Sequence, residues 1–428
     1  MSKTDFCITG GLCRIFLRSA SFYLPLLFAA LLAIGASASD RDSLLGAPPG
    51  KYIILSGDRQ VRIPFELFRG DILMRGEVNG REVRMMLDNG FLWDQLLFFG
   101  SPIIDSLDLN YDGEAQVSGS GSGDAVASKT ASGITISFPG IKFTDQSAII
   151  TPYESGMTNM WWGTEGQVSA TFLKHFVVGI DFDEMIITLT EPTTFKYKGQ
   201  GLEIPLKPLL PGAWGIPAEV ELMNGRTISV DLMMDLGYGD ALQIDIGQAN
   251  NIGVPEAAIE AILGFGVQGE TRGNFGRVRS VRIGTYTLDS IITAFASVPD
   301  GAPSFHELTM GMELFSRFNV IFDYPNQRMF LEPNTRFAEP FEYNMSGLST
   351  RKGRGDYLEI TAIHPGSPAE RAGLKVGDKI TRLNGRPATD YDVWELRPVF
   401  RQEGAAVTLT VQREDTESEV RIVLQRLI

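Results

Sequence analysis

The sequence predicts a mainly β protein: two β lobes related by a pseudo-twofold axis, followed by a small α+β module. Three observations carry this. A block near residue 80 recurs near residue 225, with Val78-Asn79-Gly80-Arg81 matched by Met223-Asn224-Gly225-Arg226. A second block, Phe172 to Pro192, recurs as Leu314 to Pro333. From about Gly347 the pattern changes to short strands interleaved with capped helices.

The first forty residues come before the repeat. Arg14 and Arg18 flank an apolar run, Phe22 to Ile34, and Ala36-Ser37-Ala38 supplies small residues at the expected cleavage positions. Residues 1–38 therefore read as a signal peptide, which places the mature chain in the periplasm or outside the cell. The run is shorter than the roughly 20 apolar residues a membrane span needs. Cleavage removes Lys3, Arg14, Arg18 and Asp5, taking the net charge from −14 to −16, and it removes both cysteines, Cys7 and Cys13. The mature chain has no thiol and no disulfide. Its acidity sets it against nucleic acid and anionic lipid as partners. With His175, His306 and His364 as the only histidines, a zinc centre of several His and Cys ligands is excluded. No metal and no other cofactor is expected.

The first lobe is read over 58–192 and the second over 200–333. Each opens with an Asn-Gly hairpin turn. An apolar strand follows, Val83 to Leu87 or Ile228 to Met234, ending in Asp88-Asn89-Gly90 or Asp235-Leu236-Gly237. Each closes on a pair of strands around Ile180-Asp181-Phe182 or Phe322-Asp323-Tyr324. The offset between copies is 147 residues at the aspartates and 142 at the closing strands. Gly-rich hairpins, Gly119 to Gly123 and Gly264 to Gly276, lie between. Residues 334–346 read as a linker. In the final module, 342–428, Ser367-Pro368-Ala369-Glu370 is a capping box with proline at the first helical position. Gly373 stops that helix, Asn384-Gly385 turns a hairpin, and Asp390 to Phe400 reads as a second helix.

An isolated Asp-x-Gly means little. Asp245-Ile246-Gly247 is a third example, read as the N-cap of a helix over Gln248 to Asn251. Asp88 and Asp235 differ because they occupy equivalent repeat positions. Two strands that each deliver a carboxylate to a glycine turn place those carboxyls side by side across the axis. Carboxyls that close share a proton, so one pKa falls and the other rises. The ionised member can then take a proton from water while the other donates to a substrate carbonyl. Gly264-Phe265-Gly266-Val267-Gln268-Gly269 matches a dinucleotide fingerprint in letters only, because Glu270 to Arg282 continues as a hairpin and not a helix. Trp161-Trp162 reads as core packing in preference to cleft lining.

At these residues the chain resembles the retropepsin-like aspartic proteases over about 60–333, as two tandem lobes. The resemblance implies Asp88 and Asp235 as the catalytic pair, Asn89, Gly90, Leu236 and Gly237 as their supporting turns, and Thr309-Met310-Gly311 as the later strand of the second lobe. The family's Thr or Ser between Asp and Gly is Asn89 in one lobe and Leu236 in the other, and Phe91 and Tyr238 follow the glycines. The later strand of the first lobe reads Gln167-Val168-Ser169, without its glycine. The C-terminal module resembles a PDZ domain of the bacterial periplasmic-protease type, on Pro365-Gly366-Ser367-Pro368-Ala369, Gly377-Asp378-Lys379-Ile380 and Leu383-Asn384-Gly385. That resemblance implies capture of peptide C-termini at a sheet edge, with the loop Gly347, Leu348, Ser349 and Thr350 holding the carboxylate. A packing role on the second lobe is the alternative. Together these give the expected function: a secreted or periplasmic aspartic-type endopeptidase acting on polypeptide, its PDZ module binding peptide. The alternative is a catalytically inactive, protease-like peptide-binding protein of the cell envelope.

Overall fold

The structure is a computed structural model that describes residues 51–55, 60–91, 93–121, 123–152, 163–210, 212–246, 251–297, 308–353, 355–391 and 393–428. The signal segment and Trp161-Trp162 lie outside these residues. The protein is mainly β. Strand Gln60–Phe68 shows why: every second side chain is buried over its first six residues, the period of a sheet with one apolar face.

The lobes meet in a shared antiparallel platform. Its order is Gln60–Phe68, Ile186–Thr190, Val177–Asp181, Phe318–Asp323, Arg328–Pro333 and Leu202–Pro205. At the centre Val178 faces Phe322, Gly179 faces Ile321 and Ile180 faces Val320. The repeat offset of 142 carries Gly179 onto Ile321, so the pseudo-twofold axis passes through that pair. Phe176, Phe315, Phe318 and Phe322 are fully buried along this seam.

Each lobe then builds the same three-strand knot. Arg81–Leu87 runs parallel to Gly166–Val168, which is antiparallel to Leu96–Phe99. Thr227–Met234 runs parallel to Leu308–Met310, which is antiparallel to Leu242–Ile246. The Asp88 N–H donates to Val168 O and the Asp235 N–H to Met310 O, both at 3.0 Å, so each aspartate leaves its strand at the same point. The Gly-rich stretches are hairpins, as the sequence suggests: Asn110–Val117 with Val126–Phe138, and Ile259–Gly266 with Gly269–Ile283. One reading is corrected. Asp245 lies in strand Leu242–Ile246, where Gln243 Nε2 donates to its Oδ1 at 2.8 Å; the helix expected over Gln248 to Asn251 falls, but for Asn251, outside the described residues.

The C-terminal module has its own apolar core, Met345 to Leu424, separate from the core that runs from Val61 to Phe341. Its sheet order is Leu348–Lys352, Leu358–Ile363, Lys379–Leu383, Ala406–Arg413 and Thr416–Val423. Helix Val393–Phe400 covers it. Ser367 Oγ accepts the Glu370 N–H at 3.3 Å, but Glu370 reaches the Gly366 N–H and not that of Ser367.

The segment that joins the second lobe to the module is strapped down. Arg317, 2% exposed, donates to Arg336 O and Glu339 Oε2, each at 2.9 Å, and lies over the Phe341 ring. Arg277 holds Phe341 O at 2.9 Å and Glu342 at 3.4 Å. From the module, Arg397 pairs with Asp240 and Arg401 with Glu313, both at 3.0 Å. These contacts fix the module to the second lobe beside the Asp235 turn.

Candidate functional site

Asp88 and Asp235 come together as the repeat predicts. A methyl group at Gly237 would lie 2.5 Å from Asp88 Oδ2, and one at Gly90 would collide with the Asp235 carboxyl. Each glycine is thus required by the opposite lobe's carboxyl. Asp88 Oδ1 accepts the N–H groups of Gly90 at 2.8 Å and Phe91 at 3.2 Å, and Asp235 Oδ1 accepts that of Gly237 at 2.8 Å.

The grip between the turns is one-sided. Asn89 Oδ1 accepts the Leu236 N–H at 2.7 Å, doing the work of the hydroxyl that the sequence lacks. Leu236 is fully buried and returns nothing. The Asn89 amide instead donates to the Tyr324 hydroxyl at 3.1 Å. Gln167 Nε2 donates to Asp88 Oδ2, so an internal amide already occupies the second oxygen of Asp88. From the sequence, Gln167 and Tyr324 take places in their strands but no role at the site. A polar residue at the centre of the buried strand Gly166–Val168 was the available signal for Gln167.

Burial raises both carboxyl pKa values above the ordinary range, and Asp235 rises further because the charge of Asp88 faces it. The N–H donors of Gly90 and Phe91 favour ionised Asp88, while the hydrogen bond between the carboxyls holds the proton on Asp235. The arrangement can store and exchange one proton. Phe91 does not cover the pair. It stacks at 9° on Trp93 and lines a cavity of about 330 Å3 with Asn89, Ser169, Trp214 and Tyr324. The hairpin tips of the two lobes are locked to one another. The Gln268 backbone exchanges hydrogen bonds with Gly123 and Ser120, and its side chain bonds Gly119 and Gly123 at 3.1 and 2.7 Å.

A second candidate site lies at the edge of the module's sheet. Gly347, Leu348, Ser349 and Thr350 all fall where the sequence places them, at the start of edge strand Leu348–Lys352. Gly347 has φ of 78°, and a side chain there would strike Ser367. Gly347 O accepts from His364 N, and the Gly353 N–H donates to Tyr357 O. Odd-numbered residues of this strand therefore face the neighbouring strand, and Leu348, Thr350 and Lys352 face outward.

Residues 359–413 match the family model for the PDZ domain. The chain carries a PDZ domain. The chain is also 37% identical over 98 residues to proteins named probable CtpA-like serine protease from Staphylococcus aureus strains COL, N315 and MRSA252. The overlap covers 22% of this chain and 20% of each relative, so the chain spans about a fifth of their length. These relatives carry the name of a serine protease. The expected aspartic-type endopeptidase, with its retropepsin-like designation, is corrected on that finding. The local reasons agree: Gln167 fills the second oxygen of Asp88, and Leu236 supplies no hydroxyl to the opposite turn.

The asymmetry of the carboxyl pair gives opposite expectations for its two members. A carboxyl whose folded pKa exceeds its unfolded one stabilises at low pH and loses that contribution as pH rises towards the folded value. Native stability should therefore fall with rising pH through Asp235, and also through Asp71, whose carboxyl burial pushes up to about 8; Asp235→Asn should lessen that fall while keeping a donor for Asp88. Asp88→Asn should cost about 1–3 kcal/mol, because it sets an amide against the N–H donors of Gly90, Phe91 and Gln167. Thermal unfolding of both variants between about pH 5 and pH 8 checks this. Equal losses in the two would contradict it.

Proposed function

We propose that this protein is a peptide-binding protein of the cell envelope that captures extended polypeptide through its PDZ domain. The envelope location rests on the signal pattern of residues 1–38. The binding mode rests on one observation: Thr350 and Lys352 turn their N–H and C=O groups out of a strand that has a partner on one side only among the described residues. An added strand satisfies such an edge, and main-chain hydrogen bonds supply affinity without demanding one sequence. The acidic chain, at −14 before cleavage, favours polypeptide over nucleic acid as the partner. In this reading Asp88 and Asp235 serve as the hydrogen-bond hub that joins the lobes, and the lobes hold the PDZ domain at a fixed angle through Asp240 and Glu313.

Serine-type proteolysis is the second reading, favoured by the name that the Staphylococcus aureus relatives carry. A serine-directed phosphonate probe tests it: covalent labelling of the native chain supports it, and no labelling sets it aside.

For the first reading, Thr350→Pro removes an outward donor and no bond within the sheet, a change edge strands tolerate. Binding of fluorescent peptide pools to residues 39–428 should weaken at least about tenfold, with the circular dichroism unchanged. Unaltered binding by a folded variant would count against strand addition at this edge.

A further inference from the structure

The start of the edge strand differs from the rest of it. Leu348 faces outward, yet both of its backbone groups are already taken. Its N–H donates to Ser346 Oγ at 3.1 Å, and its C=O accepts from Asn344 Nδ2 at 2.7 Å. Asn344 Oδ1 in turn accepts the Ser346 N–H at 2.9 Å and the Ser346 hydroxyl at 2.6 Å. Ser346 is fully buried and Asn344 half-buried, so the Ser346 side of this small network is closed to solvent. The preceding N–H, that of Met345, donates to Phe400 O at the end of the covering helix, at 2.8 Å. Gly347 faces the neighbouring strand, where its C=O accepts from His364.

A free C-terminal carboxylate needs a cluster of N–H donors pointing out of this loop. Here the N–H groups of Met345, Ser346 and Leu348 all point to internal acceptors. The nearest cations of the covering helix are spent elsewhere, Arg397 on Asp240 and Arg401 on Glu313. A carboxylate at this position would have to displace Ser346 Oγ and leave the buried Ser346 hydroxyl and its Asn344 partner unpaired, which a native interior does not tolerate cheaply. A strand that pairs only with Thr350 and Lys352 meets none of these obstacles and has no need to end at the loop.

We infer that the PDZ domain binds an internal, extended segment of polypeptide and not a C-terminal carboxylate. This rests on the peptide-binding reading above and narrows its ligand class. The side chains of Asn344 and Ser346 act as a built-in stand-in for the ligand's terminal oxygens, sealing one end of the groove.

The test uses residues 39–428 and one randomised pool of fluorescein-labelled ten-residue peptides, synthesised with free carboxylate and with amidated C-termini. Members that bind are resynthesised singly in both forms, and Kd is read by anisotropy. Amidation should change Kd by less than about threefold, and four further residues at the C-terminal end should leave binding intact. Ser346→Ala should free the Leu348 N–H and make the same chain favour the carboxylate form. A native chain that binds the free carboxylate at least about threefold more tightly overturns the inference while leaving peptide binding standing. Binding of neither form overturns the peptide-binding reading and this inference with it.

Discussion

The pairing of Val177–Asp181 with Phe318–Asp323 is the constraint on which the rest of the structure depends. It sets two copies of one lobe head to head, with the axis through Gly179 and Ile321. Side chains of Phe176, Phe318 and Phe322 are lost from water on both sides of it. At roughly 25 cal/mol per Å2 of apolar surface, a seam of several fully buried aromatic rings holds firmly. Once the seam is set, every equivalent feature of the two lobes must meet its counterpart. The carboxyls of Asp88 and Asp235 face each other because their strands leave equivalent knots, each pinned by one backbone hydrogen bond of 3.0 Å.

Carboxyls this close share a proton, and which of them holds it would be undetermined if the lobes were identical. They are not. The first lobe contributes Asn89, which bonds across to Leu236, and Gln167, which bonds Asp88. The second contributes an apolar leucine at the matching turn. Donors therefore crowd around Asp88 and favour its ionised form, and the proton settles on Asp235. Asymmetry between the repeats decides which carboxyl of the pair holds the shared proton. The same second lobe receives the PDZ domain. Arg397 and Arg401 reach Asp240 and Glu313, and the backbone joins these two residues where the Glu313 N–H meets Asp240 O at 3.4 Å. The groove and the carboxyl pair are thus joined through the second lobe.

Much of this was legible in the sequence because repeats and turns are local signals. Asn-Gly dipeptides, the matched aspartates and the Phe-rich closing blocks placed the lobes and brought Asp88 to Asp235. The Ser-Pro-Ala-Glu cap and its later glycine placed the PDZ helix. What escaped depends on partners distant in the chain. Gln167 is one polar letter in a short strand, and nothing local says it will point at residue 88. Tyr324 reads as an ordinary residue of a closing block. Arg317 and Arg277 gave no sign that they would strap the segment after the second lobe, which read simply as a linker. Asp245 read as a helix cap because Asp-x-Gly is a common cap pattern, whereas its neighbours Leu242, Ile244 and Ile246 alternate as a strand. The move from sequence resemblance to aspartic chemistry failed at the residues that depart from the pattern, Leu236 and Gln167, which shape how the pair is filled.

The central claim is that the lobes close around one shared proton held by Asp235. Infrared difference spectroscopy between the native chain and Asp235→Asn at neutral pH reads this directly. A protonated-carboxyl C=O band that is present in the native chain and lost in the variant is the expected result. A difference spectrum showing only the loss of an ionised carboxylate would mean that Asp235 carries a negative charge beside Asp88, and would contradict the account.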